Sequence, residues 1–177
     1  LFRFTVKEPM LLRRSLIGGL SFSVLSIMFT TMTFILAEPP YIFNDFQIGL
    51  MGLVGIIGVW ASAWTGKMIS RKREKWLSVL STYGLILAWF PLAFAQSSLM
   101  LYITGLIIAY FCFSTLHVLN QNLVYRLSVS ARSRINAIYM TCYFSGAGLG
   151  SFLSLNLRKY FGWYGCLALG ICFALII

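Results

Sequence analysis

The sequence predicts an all-α membrane protein, a bundle of six transmembrane helices. Three observations point there. Of 177 residues, 59% are hydrophobic and only 10% are charged, whereas soluble domains carry about 25% charged residues. A fold of this length would lack the polar side chains to cover a water-facing surface. The apolar residues also fall in continuous runs of about 20, the length a helix needs to cross the hydrocarbon layer. None of these runs shows the period-two alternation of membrane barrel strands.

Residues 1–14 read as a basic cytoplasmic segment, and residues 15–177 as the six-helix domain. Helix A is expected over 15–37, helix B over 46–66, helix C over 76–95 and helix D over 99–124. Helix E is expected over 135–157, and helix F from residue 163 to the end. Fifteen residues at about 1.5 Å each give helix F about 22 Å, short of the roughly 30 Å hydrocarbon core. Helix F therefore reads as truncated, and the sequence as a fragment.

The loops set the orientation. The segment before helix A carries Arg3, Lys7, Arg13 and Arg14, and the B–C loop carries Lys67, Arg71, Lys72, Arg73 and Lys75. The D–E loop carries Arg126, Arg132 and Arg134, while the E–F loop has only Arg158 and Lys159. The A–B and C–D loops have no basic residue. Twelve of the fourteen Lys and Arg residues thus fall on one side. The positive-inside rule makes that side cytoplasmic, with the N-terminal end inside. Trp76, Tyr125, Tyr160 and Trp163 sit at span ends, where an aromatic belt belongs. The formal charge of +10 then reflects loops facing anionic lipid, and nucleic acid is not an expected partner.

Several side chains break the apolar pattern. Helix A has Gly19, Ser23, Ser26, Thr30 and Thr33 on one face at steps of three and four. Helix D has Tyr110, Ser114, His117 and Gln121 on one face, with Asn120 beside it. Hydroxyls can bond to the preceding turn of their own helix. His, Asn and Gln at membrane depth either bond between helices or face a watery cavity. Helix B carries a small-residue stripe of Gly52, Gly55, Gly58, Ser62 and Gly66, and helix E carries Cys142, Gly146, Gly150 and Ser154. Such stripes let helix backbones approach closely in lipid. They serve static packing or a sliding surface between moving bundles.

No enzyme chemistry stands out. The four acids, Glu8, Glu38, Asp45 and Glu74, fall in loops or at span ends, without a carboxylate pair or a nucleophile–base set. The four cysteines lie inside apolar runs without metal-ligand spacing, so neither a metal nor a cofactor is expected.

Three stretches resemble the C-terminal half of a major facilitator superfamily transporter of the bacterial efflux type. "FQIGLMGLVGIIGVWASAWTGKMISRK" resembles the family's eighth helix and its cytoplasmic loop motif, G-x-x-x-D-R-x-G-R-[KR]. Gly66 and Arg71 match that motif; Ser70 stands in place of the acid and Arg73 in place of the second glycine. "NQNLVYRLSVSARSRINAIYMTCYFSGAGLGSFL" resembles the tenth and eleventh helices with their loop, including Arg132 and Arg134. "EPMLLRRSLIGGLSF" resembles the end of the central loop entering the seventh helix. The resemblance implies that A and D line a substrate cavity, B and E flank the other half, and C and F are peripheral. It implies one half of a twelve-helix secondary transporter in a bacterial inner membrane. Proton-coupled efflux of a small organic molecule by alternating access is the expected activity. The implied partners are the N-terminal half, the substrate, protons and the bilayer. Two alternatives remain open: a non-transporting or relic six-helix protein, and a half-size transporter acting as a homodimer.

Overall fold

The computed structural model describes residues 8–70, 72–128 and 130–177. Helix α1 runs over Pro9–Ala37. It starts six residues before the apolar run does, because Pro9 occupies the first turn, where its missing N–H costs no hydrogen bond. Arg13 and Arg14 therefore stand on a helix rather than in a leading segment. Helix α2 (Asp45–Met51), a 3-10 turn (Gly52–Gly55) and helix α3 (Ile56–Met68) follow one another without a break. Asn44 and Gln47 cap α2 reciprocally, each side chain accepting from the other's backbone N–H at 2.9–3.0 Å. Helix α4 spans Glu74–Ala93 and helix α5 spans Leu99–Tyr125. Ser98 caps α5, its Oγ accepting from the Leu101 N–H at 3.4 Å.

Helix α6 runs over Arg132–Ile176 and contains 45 residues. Among the described residues, five helical stretches are thus long and apolar enough to cross a membrane, not the six expected. Expected helices E and F are joined because residues 158–161 stay helical. A straight helix of that length would measure about 68 Å, more than twice the hydrocarbon thickness. The chain solves this at Gly162, where φ is 60° and ψ is −148°, a conformation open mainly to glycine. Residues 163–176 fold back on 132–161, and the Cys166 thiol donates to the Ser154 carbonyl at 3.3 Å. The returning limb packs on α4. Trp163 Nε1 donates to the Leu92 carbonyl at 3.1 Å, and the Trp89 ring covers Gly170 so closely that no side chain fits there.

The principal packing pairs are α1 with α6, α4 with α5, and α3 with α5; α1 also packs on α5. Trp89, Tyr102 and Tyr139 are the largest fully buried side chains between them. The stretch Asp45–Met68 is the barest, leaving Phe46, Leu53, Ile56, Val59 and Trp60 exposed. At the weakly charged end, Arg158 forms an ion pair with Glu38 and lies 4.3 Å over the Phe34 ring, joining α1 to α6. Tyr41 ties the loop between α1 and α2 to the end of α4, donating to the Ala95 carbonyl at 2.7 Å. Burial raises the Tyr41 pKa, which keeps the phenol protonated as a donor. At the basic end, Arg126 pairs with Glu74 at 2.6 Å and joins α5 to α4.

Candidate functional site

The hydroxyl face of α1 meets α6. Ser23 Oγ is 2.6 Å from the Gly146 carbonyl and 3.0 Å from the Gly19 carbonyl. Ser26 and Thr30 both reach Ser151 Oγ, at 2.7 and 2.8 Å. Thr33, at the end of the row, is exposed. The row can form because glycines bring the two backbones together. A Cβ on Gly150 would come 2.5 Å from the Ser23 carbonyl oxygen, and one on Gly146 would strike the backbone of Gly19. A Cβ on Gly19 would in turn lie 2.6 Å from the Cys142 carbonyl. The small-residue stripe of expected helix E is therefore spent on α1, within this bundle, rather than left facing another half. Ser154 is fully buried and points its carbonyl at the returning limb.

The stripe of expected helix B divides. Gly55 and Gly58 face α5: a Cβ on Gly55 would lie 3.6 Å from the Tyr110 ring, and one on Gly58 would come 2.6 Å from Ser114 Oγ. Ser62 bonds back to the Gly58 carbonyl at 2.8 Å. Gly52 and Gly66 have nothing among the described residues within 4 Å of where a Cβ would stand. Spacing put five residues on one stripe, but the neighbouring helix covers only its middle.

On α5, Tyr110 is buried and meets Phe29 edge-on at 5.5 Å. His117 is partly buried inside an aromatic group, 4.7 Å from the Tyr143 ring and 6.2 Å from that of Phe113. Its Nδ1 lies 3.4 Å from the Tyr139 hydroxyl. Asn120 is fully buried, and its Oδ1 accepts from the Arg14 guanidinium at 3.2 Å. Arg14 also donates to Ser78 Oγ at 3.5 Å. Gln121 is partly buried and donates to the Tyr125 hydroxyl at 3.5 Å, which donates to Asn136 Oδ1 at 2.6 Å. The α5 row is thus split: Asn120 turns inward onto a charge, while His117 and Gln121 keep some exposure.

The basic loops are less defined. Arg132 and Arg134 are exposed, and neither forms an ion pair among the described residues. Arg71 lies outside the described residues, as do Arg3 and Lys7. Sequence reasoning missed Ser151, Ser78, Tyr139 and Tyr143. Ser151 follows Gly150 directly, so a search for hydroxyls beside the close glycine contact would have found it. Arg14 was visible only as a loop charge; Pro9 was the signal that it belongs on a helix.

Against known proteins, the chain is 32% identical over 175 residues to the YgaY transporter of Escherichia coli K12, described as uncharacterized. It matches the O157:H7 form of the same transporter equally, and is 24% identical over 149 residues to an uncharacterized transporter of Buchnera aphidicola. The first two alignments take in 99% of this chain but 44% of each transporter. The chain is homologous to these transporters and spans less than half of their length. No protein-family model matches it, and no solved structure does.

Proposed function

We propose that this chain is one half of a major facilitator superfamily secondary transporter, which exports a small organic molecule against protons by alternating access. The observation that carries this reading is the alignment of 99% of the chain with transporters more than twice the matched length. That length leaves room for a second half, against which a bundle can rock around a central site. In this reading the returning limb, 163–176, is the sixth segment of the half. Thr33, His117 and Gln121 face the substrate route from α1 and α5. The host membrane is the inner membrane of a bacterium, with the basic loops inside.

The acids constrain the coupling. Glu8, Glu38, Asp45 and Glu74 all sit at helix ends, as caps or first residues. Carboxylates that carry protons at membrane depth would then come from the second half.

Proton-driven flux in proteoliposomes carrying the whole transporter tests this reading across a panel of small organic molecules. A substrate should move when a pH gradient is imposed. Gln121→Leu should cut that flux about fivefold, the rate equivalent of one hydrogen bond of ~1 kcal/mol. Membrane insertion should not change. Flux without any dependence on the gradient, or full flux in the variant, contradicts the proposal.

A further inference from the structure

We infer that Tyr139 is a positioning residue that sets His117 as a hydrogen-bond donor toward the substrate route, where the transported molecule presents an uncharged acceptor. The inference deepens the proposed function and rests on it, since it takes His117 to face that route. The contacts that carry it lie inside the bundle, between α1, α5 and α6. Tyr139 is fully buried. Its hydroxyl has one hydrogen-bond partner among the described residues, His117 Nδ1 at 3.4 Å. On the α1 side, a Cβ on Gly18 would come 2.8 Å from the same oxygen, so the hydroxyl is closed in.

A buried hydroxyl hydrogen without an acceptor is costly. If Nδ1 carried the imidazole proton, it would donate to the phenol oxygen and leave the phenol hydrogen with no acceptor. If Nδ1 is bare, the phenol donates to it and that cost disappears. Asn120, one turn away on α5, does not compete for the phenol hydrogen. Its Oδ1 accepts from Arg14, a group that only donates, and its other polar atom, Nδ2, is itself a donor. A neutral imidazole has one donor nitrogen and one acceptor. With Nδ1 accepting, Nε2 carries the proton, and Nε2 has no partner among the described residues. The ring plane is held by Phe113, stacked at 6.2 Å, and by Tyr143 at 4.7 Å. Phe22 and Phe144 continue the cluster, 4.2 and 5.4 Å from the Tyr143 ring. Aromatic faces are negative and disfavour an anion. The four acids sit at helix ends, so this half offers no carboxylate to a localised cation. An aromatic carbonyl compound fits both features, its ring on the rings and its oxygen on the Nε2 proton.

Nuclear magnetic resonance of the whole transporter with ¹⁵N-labelled histidine, in nanodiscs at neutral pH, tests it. The difference spectrum against His117→Gln assigns the signal. The wild-type ring should hold its proton on Nε2 alone. Tyr139→Phe keeps the aromatic ring but removes the hydroxyl, and should give a mixture of both tautomers. Tyr143→Phe removes a hydroxyl that does not bond His117, and should leave the proton on Nε2. A proton on Nδ1, a doubly protonated ring, or an unchanged tautomer in Tyr139→Phe overturns the role of Tyr139. So does the same mixture in Tyr143→Phe. If Tyr139→Phe does not fold, the wild-type tautomer decides alone. Benzophenone should shift the Nε2 resonance, and diphenylmethane, which lacks the carbonyl oxygen, should not. Equal shifts, or none with benzophenone, overturn the acceptor assignment. These readouts use no proton gradient. Flux that ignores the gradient would therefore overturn the transport reading and leave the Tyr139–His117 pairing standing.

Discussion

Gly146→Leu is expected to leave no folded bundle. The contact between α1 and α6 is made backbone to backbone, with Gly19 and Ser23 on one side and Gly146 and Gly150 on the other. In lipid no hydrophobic force draws helices together, so close van der Waals packing has to supply the attraction. Overpacking a well-packed core costs about 1–3 kcal/mol when side chains can give way. Here the obstacle is the backbone of Gly19, which cannot give way without parting the helices. Parting them would also break the bonds from Ser23, Ser26 and Thr30 to α6. Gly148 is the control, because a Cβ there meets nothing within 4 Å. Gly148→Leu should therefore give wild-type membrane yield and a wild-type melt in detergent, while Gly146→Leu gives neither. A normal melt for Gly146→Leu would mean that the two helices do not meet as described.

The second large effect is expected at Asn120. Leucine there removes the buried oxygen that accepts from Arg14 at 3.2 Å. A hydrogen bond to a charged group contributes about 1.5–3 kcal/mol. For a chain of this size a loss of ~2 kcal/mol lowers the melting temperature by about 4–8 °C. The double variant Arg14→Leu/Asn120→Leu should recover most of that loss, because replacing both partners with apolar groups leaves no orphaned charge. Additive losses in the double variant would show that the two residues act separately. Stability is the readout here because Asn120 is wholly buried.

Much of the bundle could be read before any coordinates. Run length placed α4 and α5 to within two residues at each end, because apolar length is what the bilayer selects. It failed at residue 162, where both flanking segments stay helical and a single glycine reverses the chain. A charged pair such as Arg158 and Lys159 reads as loop in sequence, yet the helix carries it to the membrane surface. Periodicity found which residues share a face but not what that face meets. It grouped Gly52 with Gly58, although α5 covers only the latter. It grouped Ser23 and Ser26 as a polar row without showing that Gly146 and Ser151 are the partners. Those pairings join residues more than 120 positions apart, and no local pattern encodes them.

The central proposal is that this bundle moves against a second half and exposes Thr33, His117 and Gln121 to each side of the membrane in turn. Thr33 and Gln121 mark the two ends of that route. Single cysteines at these positions, in the whole transporter with its native cysteines replaced, can be labelled with an impermeant maleimide from either side. Imposing a proton gradient should raise labelling at one position and lower it at the other. Rates at both positions that stay the same with and without the gradient would contradict alternating access and leave a static membrane bundle.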